Sequence, residues 1–176
     1  MNLRKIYFFL FYFALVFSAN AQKELAISLE KDEFCSYVQL SSQNIQELLL
    51  SNEVDYKDFM EKKGFRKAEL GTKNEYMAIS TKLNHVRLLS KNAQTLQFTF
   101  SPIPSNLVNS FLTDLNSHAK LISSNQKGNK TTLIVEFPTL SRHQHQISWE
   151  EKNDTEEYVG RTILVKTLVV EVRGNR

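Results

Sequence analysis

The chain has 176 residues, with 22 Lys and Arg against 19 Asp and Glu and a single cysteine. One thiol excludes an internal disulfide, so stability must come from an ordinary hydrophobic core. Charges of mixed sign without a clustered basic stripe give no nucleic-acid footprint, and five scattered glycines leave no phosphate-cradling loop.

The N-terminus carries an export signature. Arg4 and Lys5 precede an unbroken apolar run, residues 6–17, which is shorter than the roughly 20 residues a bilayer span needs. Ala19 and Ala21 then put small residues where a signal peptidase reads them. Residues 1–21 are therefore expected to be a cleavable signal peptide, with Gln22 as the new terminus and a periplasmic or secreted product. The competing readings, an uncleaved anchor or a core helix, fit the length and flanks less well. No cysteine follows the small residues, so no lipid anchor is expected. Cleavage removes Arg4 and Lys5 and leaves the rest near neutral, a length that suits one domain or two small similar lobes.

In the N-terminal segment, residues 22–41, Phe34, Tyr37, Val38 and Leu40 are spaced as on a helix, and a helix is expected there. Cys35 lies within it. With no basic or histidine neighbour in sequence to lower its pKa, it reads as a small buried hydrophobe and not as a nucleophile. From Ser42 a short apolar helix runs through Ile45, Leu48 and Leu49. A second helix is expected to be capped by Asp55, with Asp58 at the positive dipole end and Val54 and Phe59 forming a hydrophobic staple. Gly64 should end it, with Phe65 folding back on Met60 as in a Schellman motif.

After Gly64 the period changes to two. Strands are expected at 65–70, 75–81, 85–91 and 95–101, and the short polar turns between them imply antiparallel neighbours. Leu96, Phe98 and Phe100 alternate with Thr95, Gln97 and Thr99, giving one buried and one wet face. Pro102, Ile103 and Pro104 form a seam, residues 102–104. An amphipathic helix follows from near Ser105 to near Ala119, with Leu107, Val108, Phe111, Leu112, Leu115 and Leu121 along one stripe. Further strands are expected from Leu121, around Leu133, Val135 and Phe137, at 143–150 and at 161–173, with 151–157 as a polar connecting loop. The last strand is apolar on both faces and should be interior. The fold class is α+β: helices packed on a largely antiparallel sheet, divided into halves 42–101 and 105–176 that read as tandem repeats. Each half closes on a similar strand, residues 95–100 and 167–172.

A helix-turn-helix followed by four strands, taken twice, resembles the tandem arrangement of the β-lactamase-inhibitor protein family. The first half also resembles the small outer-membrane assembly lipoproteins. The resemblance covers residues 42–173 in outline and rests on architecture; the second half has one helix where that pattern has two. The Lys63-Gly64-Phe65 junction and the Ala21-Gln22 site resemble small exported proteins of the Bacteroidetes. None of these resemblances carries a residue role across.

For chemistry, His143 and His145 are the metal candidates, because residues i and i+2 of a strand share a face. A third ligand would have to come from His85, His118, Glu150 or Glu151 through folding. The bland reading is a pair of partly exposed imidazoles that titrate near neutrality. No Gly-x-Ser-x-Gly elbow is present. Asp55 and Asp58 are explained by helix capping, and Glu150 and Glu151 diverge to opposite faces of a strand. Asn129-Lys130-Thr131 and Asn153-Asp154-Thr155 match the N-glycosylation pattern and fall in expected turns. No cofactor is indicated, and an enzyme is disfavoured. Three functions are compatible with these residues. The first is an exported binding module that holds a protein or envelope component through its sheet face or the 101–104 seam. The second is a small metal-dependent hydrolase built on His143 and His145. The third is a carrier enclosing an apolar ligand between helix 105–119 and the sheet. Nucleic acid and a stable membrane anchor are not expected among the partners.

Overall fold

The computed structural model describes residues 24–68, 74–82, 85–140, 143–158 and 161–174, and the side chains of these except 154, 156–158 and 161–163. The expected leader, residues 1–21, lies outside the described residues.

The period-two segments assemble into one eight-stranded antiparallel sheet. Its strands are β3 (Arg66–Lys67), β4 (Glu75–Met77), β5 (Val86–Lys91), β6 (Thr95–Ser101), β7 (Lys120–Lys127), β8 (Lys130–Glu136), β9 (Gln144–Tyr158) and β10 (Arg161–Gly174), in the spatial order β3-β4-β5-β6-β10-β9-β8-β7. Two four-stranded meanders therefore meet through their last strands. At that seam Leu96 faces Val172, Phe98 faces Val170 and Phe100 faces Leu168, all six buried. The strand expected to be interior is interior: β10 lies between β6 and β9. On the opposite face Thr95, Gln97 and Thr99 are only half-buried, as the alternation requires.

Among the described residues, three helices supply the apolar cover. Helix α1 (Ser42–Leu50) starts at Ser41, whose side chain accepts from the Asn44 N–H, and it buries Ile45 and Leu48 completely. Helix α2 is Glu53–Lys62. Its cap is Asn52, not Asp55: the Asn52 side chain accepts from the Asp55 N–H at 2.8 Å, three residues earlier than expected. Both residues are good caps, and the earlier start puts Tyr56 on the buried stripe with Phe59 and Met60. Val54 is 62% exposed, so the expected staple is absent. The exit is as expected. Gly64 has φ 83°, Phe65 N–H donates to Met60 O at 2.9 Å and Gly64 N–H to Glu61 O at 3.0 Å, the two bonds of a Schellman motif. Helix α3 (Leu107–His118) follows the seam and fills the space above the sheet with Leu107, Phe111 and Leu115, all buried.

Two expectations are corrected. Of residues 22–41, the described part, residues 24–41, does not form a helix; it is largely extended and includes the hairpin β1 (Leu29–Lys31) and β2 (Ser36–Val38), with Leu29 facing Val38. A buried amide from α1 explains the choice. Asn44 accepts from Ser28 N–H at 2.9 Å and donates to Ser28 O and Gln39 O, both at 2.8 Å, so extended backbone finds partners that a helix would have turned inward. Leu25 and Ile27, and then Cys35 and Tyr37, alternate into the core. Residues 151–157 are not a loop either. They continue β9, paired residue by residue with β10 from Glu151 opposite Leu168 to Tyr158 opposite Arg161. A strand that reaches past its sheet needs no apolar face, so its polar composition misled. Asn153 accordingly lies in a strand, while Asn129 does sit in the turn between β7 and β8.

The Schellman exit yields a specific expectation. A Cβ at Gly64 would meet nothing within 4 Å, so Gly64→Ala should cost about 1 kcal/mol through its left-handed backbone alone. Urea denaturation would measure this; an unchanged or raised midpoint would refute the assignment.

Candidate functional site

The four histidines are dispersed. His118 is exposed at the end of α3, and His85 is buried beside β5. His143 is exposed and precedes β9, whereas His145 lies buried in β9 with its ring 5.5 Å from that of Phe137. Because β9 begins at Gln144, the regular alternation that would set His143 beside His145 starts one residue too late. Burial pushes the His145 imidazole below its ordinary value. Among the described residues, the group of three metal-ligand side chains within reach of one another is a different one: Asp32, Cys35 and His85.

This cluster forms where the β1–β2 turn meets β5. Asp32 Oδ1 accepts from the backbone N–H groups of Phe34 and Cys35, each at 2.9 Å, which closes the turn. Its other oxygen meets the Arg87 Nη2 at 3.0 Å and lies 3.4 Å from His85 Nε2. Arg87, itself buried, donates through Nη1 to the carbonyls of Val86 (2.9 Å), Ser101 (3.2 Å) and Pro102 (2.9 Å). Its guanidinium stands over the rings of Tyr37 and Phe100, at 5.3 and 5.8 Å. Cys35 Sγ is 3.8 Å from His85 Nδ1.

Cysteine, histidine and aspartate in contact invite a nucleophile or metal reading, and the hydrogen-bond directions decide against both. Arg87 Nη2 lies 2.9 Å from His85 Nε2 and can only donate, so Nε2 accepts and the neutral ring carries its proton on Nδ1, facing the sulfur. That nitrogen cannot then take the thiol proton or offer a lone pair to a metal ion. Burial and the Asp32 charge push the Cys35 thiol up to about 11, away from the thiolate that either chemistry needs. Arg87 already supplies the positive charge that Asp32 requires. The cluster is a clamp that holds the N-terminal hairpin on the sheet, and Cys35 is a buried hydrophobe within it.

The open concave site lies elsewhere, between α1 and α3. It measures about 700 Å³, within the usual range for ligand sites. It is lined by Glu30, Glu47 and Asp114, with Gln39, Gln43 and Gln46, Ser41, Ser110 and Thr139, and His118. Leu40, Leu50, Pro104 and Leu107 supply its apolar part, and no lysine or arginine lines it among the described residues. Asp114 ties its two walls together. Its Oδ2 accepts from the Ser42 N–H at 2.5 Å, at the positive end of α1, while its Oδ1 is 3.0 Å from His118 Nδ1. Thr139 donates to Gln46 Oε1 across the rim. Of these groove residues the sequence singles out His118 and, in the 101–104 seam, Pro104; the others escape it because the groove joins four separate stretches with no common spacing.

No protein-family model, curated protein or solved structure matches the chain.

The clamp makes stability depend on acidity in a defined direction. Burial and Arg87 hold His85 below its ordinary value. For Asp32 burial opposes ionisation, but the Phe34 and Cys35 N–H groups together with His85 and Arg87 outweigh it and lower the carboxyl. Both folded values are depressed, so both contributions are complete above the unfolded values and are lost as pH falls, for His85 below 6.5 and for Asp32 below 3.8. Melting temperature should therefore drop in these two windows, the first drop shrinking in His85→Asn. Asp32→Ala should lose about 3 kcal/mol, because Arg87 is then buried without its carboxylate. Thermal scans across pH check this; a profile that His85→Asn leaves unchanged would remove the imidazole from the account.

Proposed function

We infer that the protein is a binding module that works outside the cytoplasm, with the groove between α1 and α3 as its binding surface. The observation that carries this reading is the groove's composition: three acidic residues, amides and hydroxyls around about 700 Å³, with His118 but no lysine or arginine among the described lining residues. Such a surface attracts ligands rich in cationic and hydrogen-bond-donating groups, and a basic peptide segment of another envelope protein has that chemistry. The structure also offers reasons to prefer binding over the other two readings. The thiol–imidazole pair is set in the wrong protonation for nucleophilic attack, and His143 and His145 differ in exposure. The space between α3 and the sheet is occupied by Leu107, Phe111 and Leu115.

Export is tested first. Expression in a bacterial host with the leader intact should give protein outside the cytoplasm whose N-terminal residue is Gln22 by intact-mass measurement; recovery only in the cytoplasm with Met1 retained would exclude it.

Binding is tested by calorimetric titration with tetralysine and tetraglutamate peptides at low salt. Tetralysine should bind and weaken as salt rises, tetraglutamate should not, and Glu30→Gln combined with Glu47→Gln should weaken tetralysine about tenfold. Equal binding of the two peptides, or binding that survives the double substitution, would end the groove reading.

A further inference from the structure

Strands β9 and β10 outrun the sheet that holds them. The pairing of β8 with β9 ends at Lys130 opposite Glu150, and that of β6 with β10 ends at Phe100 opposite Leu168. Beyond those points, residues 151–158 of β9 pair only with β10 among the described residues. A two-stranded ribbon alone in water is marginal, and its outer margin offers backbone N–H and C=O groups to a further strand. Asn129 Nδ2 donates to Glu151 O at 2.7 Å and satisfies the first of these at the step. Leu164, on the other strand of the ribbon, is 69% exposed.

A second margin stands nearby. Strand β7 ends the sheet, is eight residues long, and has every residue exposed, including Leu121 and Ile122. Such long exposed edges are templates for strand addition.

We propose that these two margins complete one another between two copies of the chain: residues 151–158 of each copy pair with β7 of the other, forming a twofold dimer with a continuous sheet. Length agrees, since each margin is eight residues. Direction agrees as well. Within one copy β7 and β9 are both antiparallel to β8 and so run the same way; a twofold axis normal to the sheet reverses one of them and makes the new pairing antiparallel. Both margins face the β7 side of the sheet, and the overhang lies beyond the β7–β8 turn. The resulting step is two strands wide, the width of the partner's β7–β8 corner. Charge selects this pairing over simpler ones. Residues 151–158 hold four acids and one lysine, whereas β7 carries Lys120 and Lys127 and no acid. Pairing β7 with itself would set Lys120 against Lys127, and pairing the overhang with itself would crowd the four acids of each copy onto one ribbon with only one lysine from each. In the crossed arrangement Lys127 comes to the base of the partner's overhang, where Glu151 stands. The inference does not depend on the groove.

Sedimentation velocity of the purified protein, from low micromolar to several hundred micromolar, tests it. The unsubstituted protein should dimerise. Lys127→Glu and Glu151→Lys, both at exposed positions, should each weaken the dimer at least tenfold with an unchanged circular dichroism spectrum. An equimolar mixture of the two variants should recover the dimer, because both contacts of the mixed pair again join opposite charges. A protein that stays monomeric throughout, a dimer that both variants leave intact, or a mixture that fails to recover would each overturn the proposal.

Discussion

The pairing of Arg87 with Asp32 is the interaction on which the rest of the arrangement hangs. An arginine that is 4% exposed must have its charge paired, and Arg87, whose Nε finds no partner, does so through its terminal nitrogens by drawing together distant parts of the chain. Asp32 comes from the N-terminal hairpin, His85 from the entry to β5, and the Ser101 and Pro102 carbonyls from the point where the first meander ends. The rings of Tyr37 and Phe100, in edge contact with each other, both pack against it. The hairpin is thereby fixed against β5, and the exit of the chain toward α3 is fixed with it. The same network accounts for the state of Cys35, because an imidazole that accepts from Arg87 can only turn its N–H toward the sulfur.

A second long-range contact sets the relation of the helices. Asp114 of α3 accepts from the first turn of α1, so a carboxylate of the second half caps a helix of the first. Behind them the sheet is already joined through β6 and β10. With the helices tied at one point and the hairpin held by Asn44 and Arg87, the surfaces between α1, α3 and β1 do not close, and the groove is what remains. Its acid lining follows from which residues those elements turn outward: Glu30 from the hairpin, Glu47 from α1 and Asp114 from α3.

Legibility followed the range of the interaction. The exit of α2 was legible because Met60, Glu61, Gly64 and Phe65 make all of its bonds within six residues. The alternation of β6 and the stripe of α3 were legible because one buried face repeats along one element. The start of α2 was not, since Asn52 and Asp55 are equally good caps and the buried position of Tyr56 chose between them. Residues 24–41 misled for a similar reason: apolar spacing consistent with a helix was overridden by Asn44, which offers strand-like partners from another element. The polar residues 151–157 misled because an overhanging ribbon has no core to face.

The sequence by itself determined the fold class, the antiparallel order within each meander and the interior place of β10, because these depend on local period, turn length and hydrophobicity. Tertiary structure alone decided where chemistry is and is not. Cys35 and His85 are fifty residues apart, and nothing in their surroundings along the chain announces that they touch, or that Arg87 settles their protonation. The two histidines with an inviting spacing, His143 and His145, take different environments because β9 starts between them. Spacing along a chain fixes which side chains share an element's face; only the packing of elements fixes which faces meet, and a site made from several elements is a property of that packing.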